Sequence, residues 1–205
     1  MPTRLRSKHV FINCPFDPGY RPIFNAIVFA VLELRFVPRC ALEEDDSGEV
    51  RLSKIQRIIE ECRFGIHDLS AVELDARTRL PRFNMPLELG LFLGCKRFGS
   101  GHQRKKTSVI LDKDSTRYRA FISDIAGQDI HSHNGEPERA IAEIRDWLRA
   151  ASRRTALPGA AQIVEQYRRF QRKLPDICAS RRLEPERLTY LDLSTTITRW
   201  LAARA

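Results

Sequence analysis

The strongest constraint on this chain is the alternation of short β-rich runs with segments of helical length through residues 9–148. The strand candidates are residues 9–14 (HVFINC), 36–40 (FVPRC), 63–68 (RFGIHD), 107–111 (TSVIL) and 128–131 (QDIH). Helix candidates fall at residues 21–34, 51–62, 84–98, 118–125 and 137–148. Strands separated by helices cannot pair as tight hairpins, so the pattern predicts a parallel sheet with helices on both faces. Five such units suit a five-stranded, flavodoxin-like order, 2-1-3-4-5. Pro38 argues against a fully paired centre for the second strand. Residues 21–34 have almost no polar face, which predicts a well-covered helix.

Residues 80–98 (LPRFNMPLELGLFLGCKRF) hold the most informative carboxylate. Asn84 reads as an N-cap with Pro86 just inside the helix. Leu87, Leu89, Leu91, Phe92 and Leu93 make the helix apolar on nearly every side, as if enclosed. Gly90 and Gly94 lie one turn apart, and each costs about 1 kcal/mol against alanine inside a helix. Close approach of a neighbouring strand is the expected compensation. Glu88 is the only charge between Arg82 and Lys96. It either complements the helix dipole from an open rim or is buried at a cost of several kcal/mol.

The charge is unevenly distributed. Of the formal net charge of +9, residues 151–205 carry +6, and the turn-like Leu157-Pro158-Gly159 stands near the change. We therefore divide the chain into an α/β domain at 1–152 and a basic helical appendage at 153–205. Within the appendage, residues 160–174 and 185–201 read as two helices. Ile163, Tyr167, Phe170 and Leu174 form one apolar stripe, and Leu188, Leu191, Leu193, Ile197, Trp200 and Leu201 form the other. A helical hairpin docked on the α/β domain or on a second subunit is the economical reading. The pairs Arg168/Arg169, Arg172/Lys173 and Arg181/Arg182 also allow phosphate contacts with nucleic acid.

Composition narrows the classes. Apolar residues make up 42% and charged residues 30%, as in ordinary globular proteins. No apolar run approaches the ~20 residues that span a bilayer, so no membrane partner is expected. The N-terminal stretch lacks a signal-peptide pattern, and the five cysteines form no CxxC pair. Reduced thiols in a cytoplasmic protein, with no metal site, are the expectation. There is no GxGxxG, GxxxxGK[ST] or GxSxG, which argues against a Rossmann cradle, a P-loop and a serine-hydrolase elbow.

In open α/β sheets ligands bind beyond the carboxyl ends of the strands, where strand order reverses. The loops after the first and third strands flank that point and carry Asp17 and His67/Asp68, with Glu88 opening the helix that follows. One rim is therefore expected to gather all three. Asp17 and Asp68 could bind ribose or simply form turns, and Phe16 could stack on a base or pack in the core. Arg82 could pair with a pyrophosphate or stay solvated, and Asn84 could contact the ligand or only cap its helix.

VFINCPFD at the first strand and NMPLELG at the third helix resemble the TIR-like and nucleoside 2-deoxyribosyltransferase-like group of bacterial nucleotide-binding domains, over roughly residues 8–150. Asn13-Cys14 and Asn84-Met85-Pro86 depart from the two family patterns. The resemblance implies a flavodoxin-like fold and a catalytic Glu88 acting at a sugar. It further implies NAD as a substrate rather than a bound cofactor, with glycohydrolase or cyclase activity in bacterial antiphage defence. A homo-oligomer or a partner defence protein goes with that activity. The alternatives are a nucleotide- or nucleic-acid-sensing module without catalysis, and base exchange between nucleosides.

Overall fold

The computed structural model describes residues 6–72 and 79–204. Five strands, β1 (Arg6–Asn13), β2 (Val37–Arg39), β3 (Cys62–Asp68), β4 (Thr107–Asp112) and β5 (Ile130–Ser132), form one sheet. All neighbours are parallel and the order is β2-β1-β3-β4-β5, as the alternation predicts. The helices are α1 (Arg21–Glu33), α2 (Arg51–Glu61), α3 (Asn84–Phe98), α4 (Pro137–Ser152), α5 (Ala160–Ser180) and α6 (Tyr190–Ala202). None of the described helices is long and apolar enough to cross a membrane.

Side-chain alternation along β1 divides the core. Val10 and Ile12 join α1, α4, α5 and α6 in one cluster, while Phe11 joins Ile55, Ile58, Ile59 and Phe92 of α2 and α3 on the other face. The unbroken apolar character of α1 now has its reason. One side faces the sheet, and α5 and α6 cover the other, with Phe29 5.3 Å from the Tyr167 ring, 5.5 Å from Phe170 and 5.8 Å from Trp200. The C-terminal helices therefore dock on the α/β core of their own chain, and their apolar stripes are continuous with it. Several of their basic side chains are already engaged: Arg168 with Glu138, Arg169 with Glu165 and Arg181 with Thr196.

Pro38 lies in the edge strand β2, and its carbonyl accepts a 2.6 Å hydrogen bond from the Tyr190 hydroxyl. An edge position is where a residue lacking an N–H does least damage. At the amino end of β4, the buried Lys106 amine donates to the Ile59 carbonyl at 2.6 Å and to that of Cys62, so it closes the end of α2. Burial lowers its pKa to about 8. Gly65 is required by packing, because a Cβ there would lie 2.7 Å from His67 Nε2 and 2.9 Å from the Phe92 ring.

Four expectations need correction. Asn84 is the first residue of α3 rather than its N-cap; Phe83 holds that position and no side chain caps the helix. α3 is not enclosed: Met85, Glu88, Leu89 and Phe92 are buried, whereas Leu87 is 55% exposed. Gly90 and Gly94 accordingly meet no neighbour, since a Cβ on either would find open space. Residues 117–125 form two short 3-10 turns instead of a helix. In addition, α5 runs through Pro175 to Ser180, beyond the expected range of 160–174. Burial of Cys178 in the following turn offsets part of the ~3 kcal/mol that an interior proline costs.

Candidate functional site

The carboxyl ends of β1 and β3 fix the start of α3. Asn13 is buried, and its amide nitrogen donates to the Met85 carbonyl at 2.8 Å and meets His67 Nδ1 at 3.1 Å. With Nδ1 as acceptor, the ring proton of neutral His67 sits on Nε2. Burial pushes the His67 pKa down to about 3, so the ring stays neutral. Phe92 packs against it at 5.0 Å between centroids. Met85 is thus pinned to the sheet, and Glu88 follows less than one turn later.

Glu88 is only 9% exposed and makes no hydrogen bond or ion pair among the described residues. Its surroundings include the buried thiols of Cys14, just after β1, and Cys40, just after β2, whose pKa values its charge helps to raise. Burial pushes the Glu88 carboxyl up to about 7, with Arg51 at the start of α2 opposing the shift. Because α3 begins at Asn84, Glu88 lies beyond the first turn, where the helix dipole has faded. The expectation that the helix end would hold Glu88 in its ionised form therefore gives way to desolvation, the larger effect.

Asp68, at the end of β3, is fully buried and densely partnered. The Tyr20 hydroxyl donates to one carboxylate oxygen at 2.5 Å, and the Ser70 N–H donates to the other at 2.8 Å. His133 Nε2 stands 2.9 Å from the oxygen shared with Tyr20. The Gly135 N–H donates to His133 Nδ1 at 2.9 Å, which leaves the ring proton on the nitrogen facing Asp68. Gly135 reaches this position with φ of 77°, a left-handed conformation that suits glycine. Burial and the adjacent Asp68 raise the Tyr20 pKa well above its ordinary value, keeping the phenol a donor.

Two cavities flank the loop after β1. The larger, about 460 Å³, lies between that loop, the acidic segment after β2 and the residues leading into α6. Phe16, Leu42, Arg51 and Leu191 are among its walls. The smaller, about 330 Å³, covers the ends of β1, β3 and β4, with Asp17, Tyr20, Ser70 and Arg82 in its lining. Phe16 and Asp17 are adjacent in sequence but face different cavities.

The expected single rim is therefore two. Asp17 and Arg82 pair at 2.6 Å across the smaller cavity, and Asp68 lies beneath it behind Tyr20 and Ser70. Phe16 lines the larger cavity together with Arg51, and Glu88 lines neither cavity. Asn84 is exposed at the start of α3, with no hydrogen bond among the described residues. His131 meets Glu143 at 2.7 Å, and His133 stands 2.9 Å from Asp68. The centre of the loop before α3, residues 73–78, lies outside the described residues.

Sequence reasoning missed Asn13, Arg51 and the wall built by the C-terminal segment. Arg51 did leave a signal. Arg51 and Lys54 occupy the first turn of α2, where the helix dipole disfavours cations and no acid is present. Such a local inconsistency is a pointer to a site. Comparison of the sequence with protein-family models and with curated proteins found no match in either.

Proposed function

We propose that this chain is a TIR-like enzyme that cleaves the N-glycosidic bond of NAD, with Glu88 stabilising the reacting ribose. The observation that carries the reading is a carboxylate on a residue only 9% exposed, without a hydrogen-bond or ion-pair partner among the described residues. It stands at the end of the sheet where α/β folds bind ligands. The resemblance of VFINCPFD and NMPLELG to the TIR-like group points to the same residue.

The chemistry needs little else. The bond from the ribose anomeric carbon to the ring nitrogen breaks, its electron pair stays on nitrogen, and nicotinamide leaves neutral without a general acid. Positive charge develops on the ribose. An ionised Glu88 beside it lowers the barrier because its field is poorly screened in a dry site. Water then adds to the anomeric carbon and releases a proton, which Glu88 can accept. A carboxyl with a pKa of about 7 suits that exchange near neutral pH. The pyridinium charge of bound substrate favours the ionised form further.

The same reading carries the expectations of a cytoplasmic setting, antiphage defence, and assembly with itself or a partner protein. Exposed Phe83, Leu87 and Phe98 on and beside α3 are compatible with such assembly. A second reading, a nucleotide sensor without turnover, is favoured by one property: the protonated form of Glu88 can donate a hydrogen bond to a ligand oxygen.

The test is nicotinamide release from NAD, at low and high protein concentration, by the parent chain and by Glu88→Gln. Release that falls ~100-fold or more in the variant supports the enzyme. Saturable NAD binding with no release supports the sensor, and a new nucleoside formed when free base is added supports base exchange.

A further inference from the structure

The amino end of the sheet, opposite the strand ends that carry Asn13 and Asp68, has a basic corner built by a tight reversal of the chain. α3 closes with Leu93, Lys96 and Arg97, spaced so that they share one face. The chain then turns back through Gly99, Ser100 and Gly101 into the 3-10 turn Gln103–Lys105, just before β4. The Gly99 N–H donates to the Cys95 carbonyl at 3.0 Å, and the Gln103 and Arg104 N–H groups both donate to the Ser100 carbonyl. The Gln103 side chain donates to the Glu60 carbonyl at 3.1 Å, and the next buried side chain, Lys106, is anchored on the end of α2. A Cβ at position 99 would collide with the Cys95 carbonyl oxygen and lie 2.7 Å from the Gln103 Cβ, so glycine alone lets the turn fold back this closely.

The reversal sets Arg104 beside the end of α3. Leu93, Lys96, Arg97, Arg104 and Gln128 line one cavity of about 630 Å³, with no carboxylate among its described walls. The side chains of Lys96, Arg97 and Arg104 make no hydrogen bond or ion pair among the described residues, and neither does that of the adjacent Lys105. Elsewhere Arg39, Arg57, Arg117 and Arg168 all have acidic partners. Two acids stand near the corner, Glu60 at the end of α2 and Asp129 next to Gln128, and neither forms an ion pair among the described residues. The dipole at the end of α3 favours Lys96 and Arg97. Mutual repulsion then disfavours a third cation beside them, and the fold supplies no paired anion to offset it. Phe98, the last residue of α3, follows these cations directly and is 86% exposed.

We infer that this corner binds a single nucleic-acid strand, with Lys96, Arg97 and Arg104 on its phosphates and Phe98 stacked on a base. Three unpaired cations on a rigid turn match a ligand that carries anions in series. An exposed aromatic side chain next to them matches a flat apolar surface joined to those anions. A strand with unstacked bases supplies both, whereas a duplex supplies the phosphates and hides the base faces. The inference goes beyond the proposed cleavage of NAD and does not depend on it, because the two cavities around the β1 loop lie toward the other end of the sheet. It also moves the nucleic-acid surface away from the C-terminal helices, where Arg168, Arg169 and Arg181 are already engaged within the chain.

The test is fluorescence anisotropy of labelled oligo(dT) and oligo(U) with the full chain over a salt series, with duplex DNA as competitor. The parent should bind a strand with log K falling against log salt at a slope of about −2, as three phosphate contacts on a single strand require. Binding of one oligonucleotide and not the other identifies the strand as DNA or RNA. Arg104→Gln should weaken binding and flatten the slope by about 0.7, and Lys96→Gln/Arg97→Gln/Arg104→Gln together should abolish it. Phe98→Ala should weaken binding about tenfold with the slope unchanged, and Phe98→Tyr should restore it. All four positions are exposed, and unchanged thermal midpoints verify that the variants fold. Absence of salt-dependent binding to both oligonucleotides overturns the inference, as does a triple variant that binds like the parent. Loss of binding in Arg172→Gln/Lys173→Gln instead returns the surface to the C-terminal helices. A duplex that competes as well as the strands overturns the stacking, and binding to phosphatidylserine vesicles but to neither oligonucleotide overturns the strand in favour of a lipid surface.

Discussion

Asp68 and Glu88 are two largely buried carboxylates near the same end of the sheet, in opposite surroundings. Asp68 receives Tyr20 and the Ser70 N–H, with His133 beside it, so its charge is compensated within the fold. Glu88 receives no hydrogen bond among the described residues and is pushed up to about pH 7 by burial. The fold thus gathers three groups around the first and leaves the second unpaired among the described residues. Burial alone does not mark a functional acid; burial without compensation does.

The largest effect expected from this contrast is on Asp68. Asp68→Ala would leave the Tyr20 hydroxyl and the Ser70 N–H without their acceptor and His133 without its neighbouring carboxylate, and should cost ~3–5 kcal/mol in denaturant unfolding. A loss below 1 kcal/mol would show that the cluster does not bind β3, β5 and the entry to α1 together.

Glu88→Gln should do the reverse. Its folded pKa of about 7 is raised above the unfolded value, so the folded state binds more protons between about pH 4.5 and pH 7. The parent chain must therefore lose stability as pH rises through that window, by up to ~3 kcal/mol. The variant should be more stable than the parent at pH 8 and about equal to it near pH 4. A variant less stable than the parent at pH 8 would make Glu88 a structural group.

Smallest is the expected effect at the other cavity. Asp17 and Arg82 are about half exposed, so Arg82→Ala should change stability by no more than ~1 kcal/mol. A larger change in NAD affinity than in stability would bring the smaller cavity into the site and weaken the contrast.

The legible parts of this fold were those decided by local pattern. The alternation of strands and helices sets the sheet order, Pro38 marks the edge strand, and the apolar circumference of α1 announces a cover that α5 and α6 provide. The illegible parts depend on tertiary context. Nothing in LELGLFLG says which side of α3 faces outward, so the glycines suggested a neighbour that is not there. Pro175 reads as a stop because the burial of Cys178 beyond it is a tertiary gain. At the site, Glu88 is conspicuous as a lone charge in an apolar run. The division of Phe16 and Asp17 between two cavities depends on the path of one loop, which spacing along the chain does not encode. The part of 188–193 in the larger cavity is hidden for the same reason, since more than a hundred residues separate it from the β1 loop.

The most direct measurement is the titration of the Glu88 side-chain carboxyl by carbon-detected magnetic resonance, with Glu88→Gln identifying the signal. A midpoint near pH 7 is the predicted result, as burial without a partner requires. A midpoint at an ordinary glutamate value, about 4.3, would mean that water or an internal donor satisfies the group, and the account of a carboxylate held in reserve for a ligand would be contradicted.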